Sequence, residues 1–141
     1  MSESSLWEWL RDVALPLGSY SRIETGGTSP GFPDVHCQIH EVPSFTIELK
    51  FSHTPESPIP FTSKSGMRRS QKVWIRENLR AGGTVWIIAE VTPHIYIFEG
   101  HLADQINGAS QDKLSSMSRE TIFKDAPEEA AQILHQLFLG E

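Results

Sequence analysis

The stretch Phe45-Thr46-Ile47-Glu48-Leu49-Lys50-Phe51 constrains this chain more than any other. It alternates as a strand does, and in a strand residues two apart share a face, about 6.6–6.8 Å apart along it. Phe45, Ile47, Leu49 and Phe51 then point to one face, and Glu48 and Lys50 to the other. A carboxylate and an ammonium group on so apolar a strand need a partner or a chemical task.

The rest of the chain supplies a sheet for that strand to join. Leu6, Trp9, Leu10, Val13 and Leu17 recur at helical spacing and predict a first helix over about residues 4–14. Ser4 or Ser5 caps it, and Pro16 with Gly18 ends it. Strands are predicted over 19–25 and 34–40, separated by a turn cluster rich in glycine at 26–31, and the third strand is 45–51. Residues 52–65 hold Pro55, Pro58 and Pro60 without a clear period, a long loop of the kind that is functional or mobile. A helix is predicted over 66–81, closed by Gly82-Gly83 and anchored on the sheet by Trp74. A buried strand over 84–91, an edge strand over 94–99, loop or weak helix over 104–119, and an amphipathic helix over 126–139 follow. The order α-β-β-β-α-β, then a strand and a helix, predicts an α/β or α+β domain with a mixed β-sheet flanked by helices. No linker or repeat interrupts it, so residues 1–141 read as one domain, with a core over about 4–99 and a C-terminal extension over about 100–141.

The single cysteine, Cys37, excludes an internal disulfide and fits a reducing compartment. The amino terminus Met-Ser-Glu-Ser-Ser lacks a secretory pattern, and the longest apolar runs are only strand-length. An intracellular, cytoplasmic protein without a membrane partner is the expectation. The net charge of -6 argues against nucleic-acid binding until its distribution is read. Lys64, Arg68, Arg69, Lys72, Arg76 and Arg80 are half of the twelve basic residues and fall in one segment, offset there only by Glu77. Such a nearly single-signed element suits contacts with DNA phosphates, and no base-reading motif accompanies it.

Asp34 opens one predicted strand and Glu48 lies in the next, so the two can converge on a divalent cation, joined by the Leu49 carbonyl. Magnesium takes oxygen ligands in octahedral geometry at about 2.0–2.1 Å. Lys50 beside it can hold or deprotonate a water, or stabilise a developing negative charge. On a helical wheel of about 100° per residue, Gln71 sits with Met67, Trp74 and Asn78, away from the basic arc. From there its amide can orient a water, a phosphate or Lys50. His36, Cys37, His40 and His53 lack the spacing of a zinc site.

Pro33-Asp34 followed by Glu48-Leu49-Lys50 resembles the PD-(D/E)xK nuclease superfamily. Gly26-Gly27, Gly31-Phe32-Pro33-Asp34-Val35, Arg69-Ser70-Gln71-Lys72-Val73-Trp74 and Leu79-Arg80-Ala81-Gly82-Gly83 resemble its VRR-NUC branch of virus-type replication and repair nucleases, over roughly residues 20–91. The resemblance implies a restriction-endonuclease-like core and a DNA endonuclease dependent on Mg2+ or Mn2+. Asp34 and Glu48 would bind the metal, Lys50 would be catalytic, and Gln71 would count with the active-site motif. Lys64, Arg68, Arg69, Lys72 and Arg76 would meet the DNA. Stand-alone members of viruses, phages among them, or of bacteria act on branched DNA such as Holliday junctions in replication, recombination and repair, often as homodimers. Many relatives carry a further acid on the first helix. Glu8 is the nearest candidate here, although it falls opposite the Leu6, Leu10 and Val13 stripe, and Glu24 is the second. The same residues serve two other readings: a nuclease-fold module that binds nucleic acid or a protein without cutting, and a flap or single-strand nuclease.

Overall fold

Six strands form one mixed sheet in a computed structural model that describes residues 3–14, 18–22, 35–39 and 44–139. The chain begins with α1 (Glu3–Trp9), continued by a π-helical turn over Leu10–Ala14. Then come β1 (Gly18–Arg22), β2 (Val35–Ile39), β3 (Phe45–Phe51), α2 (Arg69–Arg80), β4 (Val85–Val91) and β5 (His94–Glu99). A 3-10 turn (Gly100–Gln105), α3 (Gln111–Met117), β6 (Glu120–Phe123) and α4 (Pro127–Leu139) complete it. Strand order follows chain order, and every neighbouring pair is antiparallel except β3 with β4. That pair is parallel because α2 carries the chain back across the sheet, which a tight hairpin cannot do.

Each face of the sheet buries its own apolar cluster. On one face Phe45, Ile47 and Leu49 pack with Ile88, Ile95 and Ile97, under Leu6, Trp7 and Leu10 of the first helix and Ala130, Leu134 and Phe138 of α4. The α4 residues recur at i, i+4 and i+8, the stripe an amphipathic helix needs. The Phe138 ring lies 4.8 Å from that of Phe45 and 5.9 Å from that of Trp86. On the other face Ile87, Ala89, Val91, Tyr96 and Phe98 pack under Phe61, Met67, Ile75, Ile106 and Leu114. β3 and β4 are both buried along almost their whole length; β4 is close to a continuous hydrophobic run, as a central strand of a covered sheet should be, whereas β3 interrupts its run with Thr46, Glu48 and Lys50.

Glu48 and Lys50 pair in register with Ile87 and Ala89, so both stand on the α2 face, as the alternation predicted. One expectation is corrected. β5 is not an edge strand: β6 pairs with it antiparallel through Ile95–Ile122 and flanking residues. Within β6 only Ile122 is buried, too little apolar pattern to announce a strand before its partner is known. Residues 100–139, read as a C-terminal extension, contribute β6 to the sheet and α4 to one of its two cores. Trp74 is partly buried and packs against the cluster under α2, while Ile75 with Gln71 is the more deeply buried part of the face that α2 turns to the sheet.

The segment from Ser52 to Arg68 is tied down along its length. The Ser52 hydroxyl donates to the Pro60 carbonyl (3.0 Å), and the Gln111 amide donates to the Pro55 carbonyl (2.8 Å). Phe61 and Met67 are fully buried. α2 starts at Arg69, later than predicted, because the Met67 backbone is engaged elsewhere: its N–H donates to Asn107 Oδ1 (2.7 Å) and its carbonyl accepts from Asn107 Nδ2 (2.8 Å). At the other end Gly82 adopts φ +90°, a left-handed conformation that closes the helix by way of its N–H bond to the Leu79 carbonyl (3.0 Å).

Cys37 is fully buried in the first cluster, and burial pushes its thiol up to about 12. The folded protein should therefore resist thiol reagents at pH 8 and react only after unfolding, which a DTNB assay with and without denaturant measures. The linked effect on stability has a definite sign. Above the ordinary thiol value of 9.0 the unfolded chain loses this proton while the folded one keeps it, so stability falls as pH rises from about 9 towards 12.

Candidate active site

Glu48, in the middle of β3, is 1% exposed, and the Lys50 side chain two positions on is 6% exposed. Their ion pair is loose, with Lys50 Nζ 3.8 Å from Glu48 Oε1, beyond hydrogen-bond reach. A tighter contact comes from α2: Gln71 Nε2 donates to the same Glu48 oxygen at 2.6 Å. The other end of that amide accepts from the Arg68 N–H at 2.9 Å. Gln71 thus performs two tasks. It caps an otherwise unsatisfied donor at the start of α2, and it holds the carboxylate. The helix wheel put Gln71 near the strand, but the amide reaches Glu48 and the helix backbone rather than Lys50.

The setting of these groups follows from the strand ladders. β4 pairs with β3 from Thr46 to Phe51, whereas the described pairing with β2 covers only Val35–Ile47 to Cys37–Phe45. Glu48, Leu49 and Lys50 therefore belong to the part of β3 beyond the described β2 ladder. Thr46 shares their face, and its buried Oγ1 has no hydrogen-bond partner among the described residues. His36 lies opposite Thr46 on the same face and is exposed. Asp34, Glu24 and His40 lie outside the described residues. Glu8 is exposed on α1, across the sheet from Glu48. His53 is exposed, its ring edge-on to Phe51 at 5.0 Å.

Among the described residues no group of three or more His, Cys, Asp or Glu converges as a metal site. The donors present are a carboxylate, an orphaned hydroxyl and strand carbonyls, all hard oxygens of the type Mg2+ or Mn2+ prefers. One carboxylate is too few for such an ion, so a fit needs a second acid. The sequence offers Asp34, joined to Val35, which pairs with Ile47, itself joined to Glu48.

The basic residues divide by position. Lys64 is exposed on a turn in which its N–H and that of Ser65 both donate to Thr62 Oγ1 (3.2 Å each). Arg68 and Arg69 are exposed at the start of α2. Cations at a helix N-terminus oppose its dipole by about 0.3–1 kcal/mol, so helix stability does not account for them. Lys72 and Arg76 turn instead towards the 3-10 turn, where Arg76 pairs with Asp104 at 3.4 Å. The basic arc is thus less single-signed than the helix alone indicated, and among the described residues Arg68 and Arg69 at the Gln71 end have no ion-pair partner.

A second buried carboxylate, Glu90, occupies the opposite face of the sheet, in register with Ile95. It accepts from Thr92 Oγ1 (2.7 Å) and pairs with Lys124 Nζ (3.4 Å), partners that suffice for a structural role. Sequence reasoning overlooked Asn107, whose only signal was its place in the turn dipeptide Asn107-Gly108. No family model matches the chain, and no curated protein matches it.

Proposed function

We propose that this chain is a metal-dependent nuclease with a restriction-endonuclease-like core, related to the VRR-NUC branch of the PD-(D/E)xK nucleases. The observation that carries the reading is the buried Glu48 carboxylate, bonded by Gln71 at 2.6 Å with Lys50 at 3.8 Å on the α2 face of the sheet. Such a charge is costly to bury and adds nothing to packing, which fits a catalytic task. Asp34, Glu48 and the Leu49 carbonyl would hold Mg2+ or Mn2+, which would supply Lewis acidity at a phosphate oxygen and lower the pKa of a bound water. Glu48 offers its carboxylate in an orientation that Gln71 restrains. Lys50 places an ammonium group beside the reacting phosphate, to hold the attacking water or offset charge on the phosphate oxygens. Lys64, Arg68 and Arg69 meet the DNA backbone at the site, and Lys72 and Arg76 extend the contact along α2.

Branched DNA, a homodimer placing two active sites on two strands, and action in a cytoplasm during replication, recombination or repair come from the family resemblance rather than from geometry. The experiment is cleavage of a four-way junction, a matched linear duplex, a flap and a single strand with Mg2+ or Mn2+. Lys50→Ala is expected to lower the cleavage rate by about 10²–10⁴-fold, the usual share of a group that assists proton transfer. Equal cutting of junction and duplex, lost in the variant, would keep the nuclease and discard the junction preference. Absence of metal-dependent product on every substrate at high protein concentration would leave a module that binds without cutting.

A further inference from the structure

The bonds at the entrance to α2 form a continuous path from the region after β5 to the Glu48 carboxylate. Asn107 grips Met67 with both ends of its amide, accepting from the N–H at 2.7 Å and donating to the carbonyl at 2.8 Å. That carbonyl and the N–H of Arg68 are the two edges of one peptide plane, which is rigid. The Arg68 N–H donates to Gln71 Oε1 at 2.9 Å, and Gln71 Nε2 donates to Glu48 Oε1 at 2.6 Å. One planar unit is therefore held on one edge by Asn107 and on the other by the amide that holds Glu48.

The surroundings favour that grip. Ile106, next to Asn107, is fully buried, and the Gly108 N–H donates to the Phe61 carbonyl at 2.9 Å. A Cβ on Gly66 would stand 2.0 Å from Asn107 Oδ1 and 2.8 Å from the Thr62 carbonyl, so only glycine admits this approach.

We infer that Asn107 is a positioning residue for Glu48, acting through the Met67–Arg68 peptide and Gln71. Its metal consequence rests on the nuclease reading above, while the mechanical coupling does not. The mechanism is mutual alignment. Loss of the Asn107 donor frees the peptide to tilt, the Arg68 N–H then points away from Gln71, and the amide no longer presents its N–H to the carboxylate. Groups that orient a metal ligand in this way are worth about 10–100-fold in metal affinity.

The test compares wild type, Asn107→Ala, Asn107→Asp and Gln111→Ala by NMR and by calorimetric titration with Mn2+ alone. The aspartate variant keeps the acceptor for the Met67 N–H and loses only the donor on the shared peptide, so it serves if the alanine variant does not fold. Gln111→Ala removes the neighbouring hold on the same loop, its bond to the Pro55 carbonyl, and controls for general loosening. In both Asn107 variants the Arg68 amide and the Gln71 side-chain amide protons are expected to exchange at least about tenfold faster. Mn2+ affinity should fall by about tenfold or more, with Gln111→Ala close to wild type in all three. Unchanged Arg68 and Gln71 exchange in Asn107→Asp overturns the inference, as does an equal effect in Gln111→Ala. If wild type binds no Mn2+ yet the Gln71 protons respond to Asn107→Asp, the coupling stands and the nuclease reading fails.

Discussion

Replacing Glu48 with glutamine is expected to cost about 3–5 kcal/mol of folding stability and to lower metal-dependent cleavage by roughly 10²–10³-fold or more. The substitution preserves shape and leaves an oxygen to accept the Gln71 N–H, so packing and the amide bond survive in principle. What it removes is the negative charge beside Lys50, whose side chain is only 6% exposed. A buried ammonium group stripped of its partner accounts for the large penalty, since breaking one side of a buried pair costs more than the pair contributes. A double variant, Glu48→Gln with Lys50→Met, should regain most of that stability while remaining inactive. Urea denaturation of the three proteins checks the first half, and cleavage assays the second. A single variant within about 1 kcal/mol of wild type would show that the pair is not desolvated as described.

Phe61→Ala is the second large effect, with an expected loss of about 3–5 kcal/mol. Phe61 is fully buried in the cluster under α2, although it comes from a proline-rich segment that has the composition of a surface loop. Truncating it leaves a cavity beneath the start of α2 and weakens the setting of the Gly108 bond to its carbonyl. The segment should then open locally before the sheet does. Limited proteolysis is expected to cut wild type slowly within 52–68 and the variant rapidly there. First cuts in α4 or β6 instead would contradict this account, and so would an unchanged denaturation midpoint.

Parts of the site were legible in the order of residues because they depend on local periodicity. The alternation along β3 placed Glu48 and Lys50 on one face, and about 3.6 residues per turn placed Gln71 on the side of α2 nearest them. The same local rule pointed to Trp74, which packs partly buried against the cluster, and did not single out Ile75, which sinks deeper. A helix wheel gives a direction to within a sector, while the choice of which residue sinks in depends on the surface beneath. The proline-rich segment was read from composition as functional or mobile, whereas its anchors Phe61 and Met67 bind partners far away in the chain. β6 escaped notice for a related reason: a four-residue strand with one buried apolar side chain is specified by the edge it joins.

What the residues determine unaided is the material of the site: a paired acid and lysine on a strand that must be central, a glutamine-bearing helix after it, and basic residues around that helix's start. Local dihedral preference and side-chain spacing are enough for this, because each relation spans a few residues. Only the tertiary structure decided that Gln71 bonds Glu48, that Asp104 pairs with Arg76, and that Asn107 holds the Met67–Arg68 peptide whose N–H donates to Gln71. Those contacts join positions separated by tens of residues. Their formation depends on the sheet first bringing distant segments together, which no periodicity within a segment encodes.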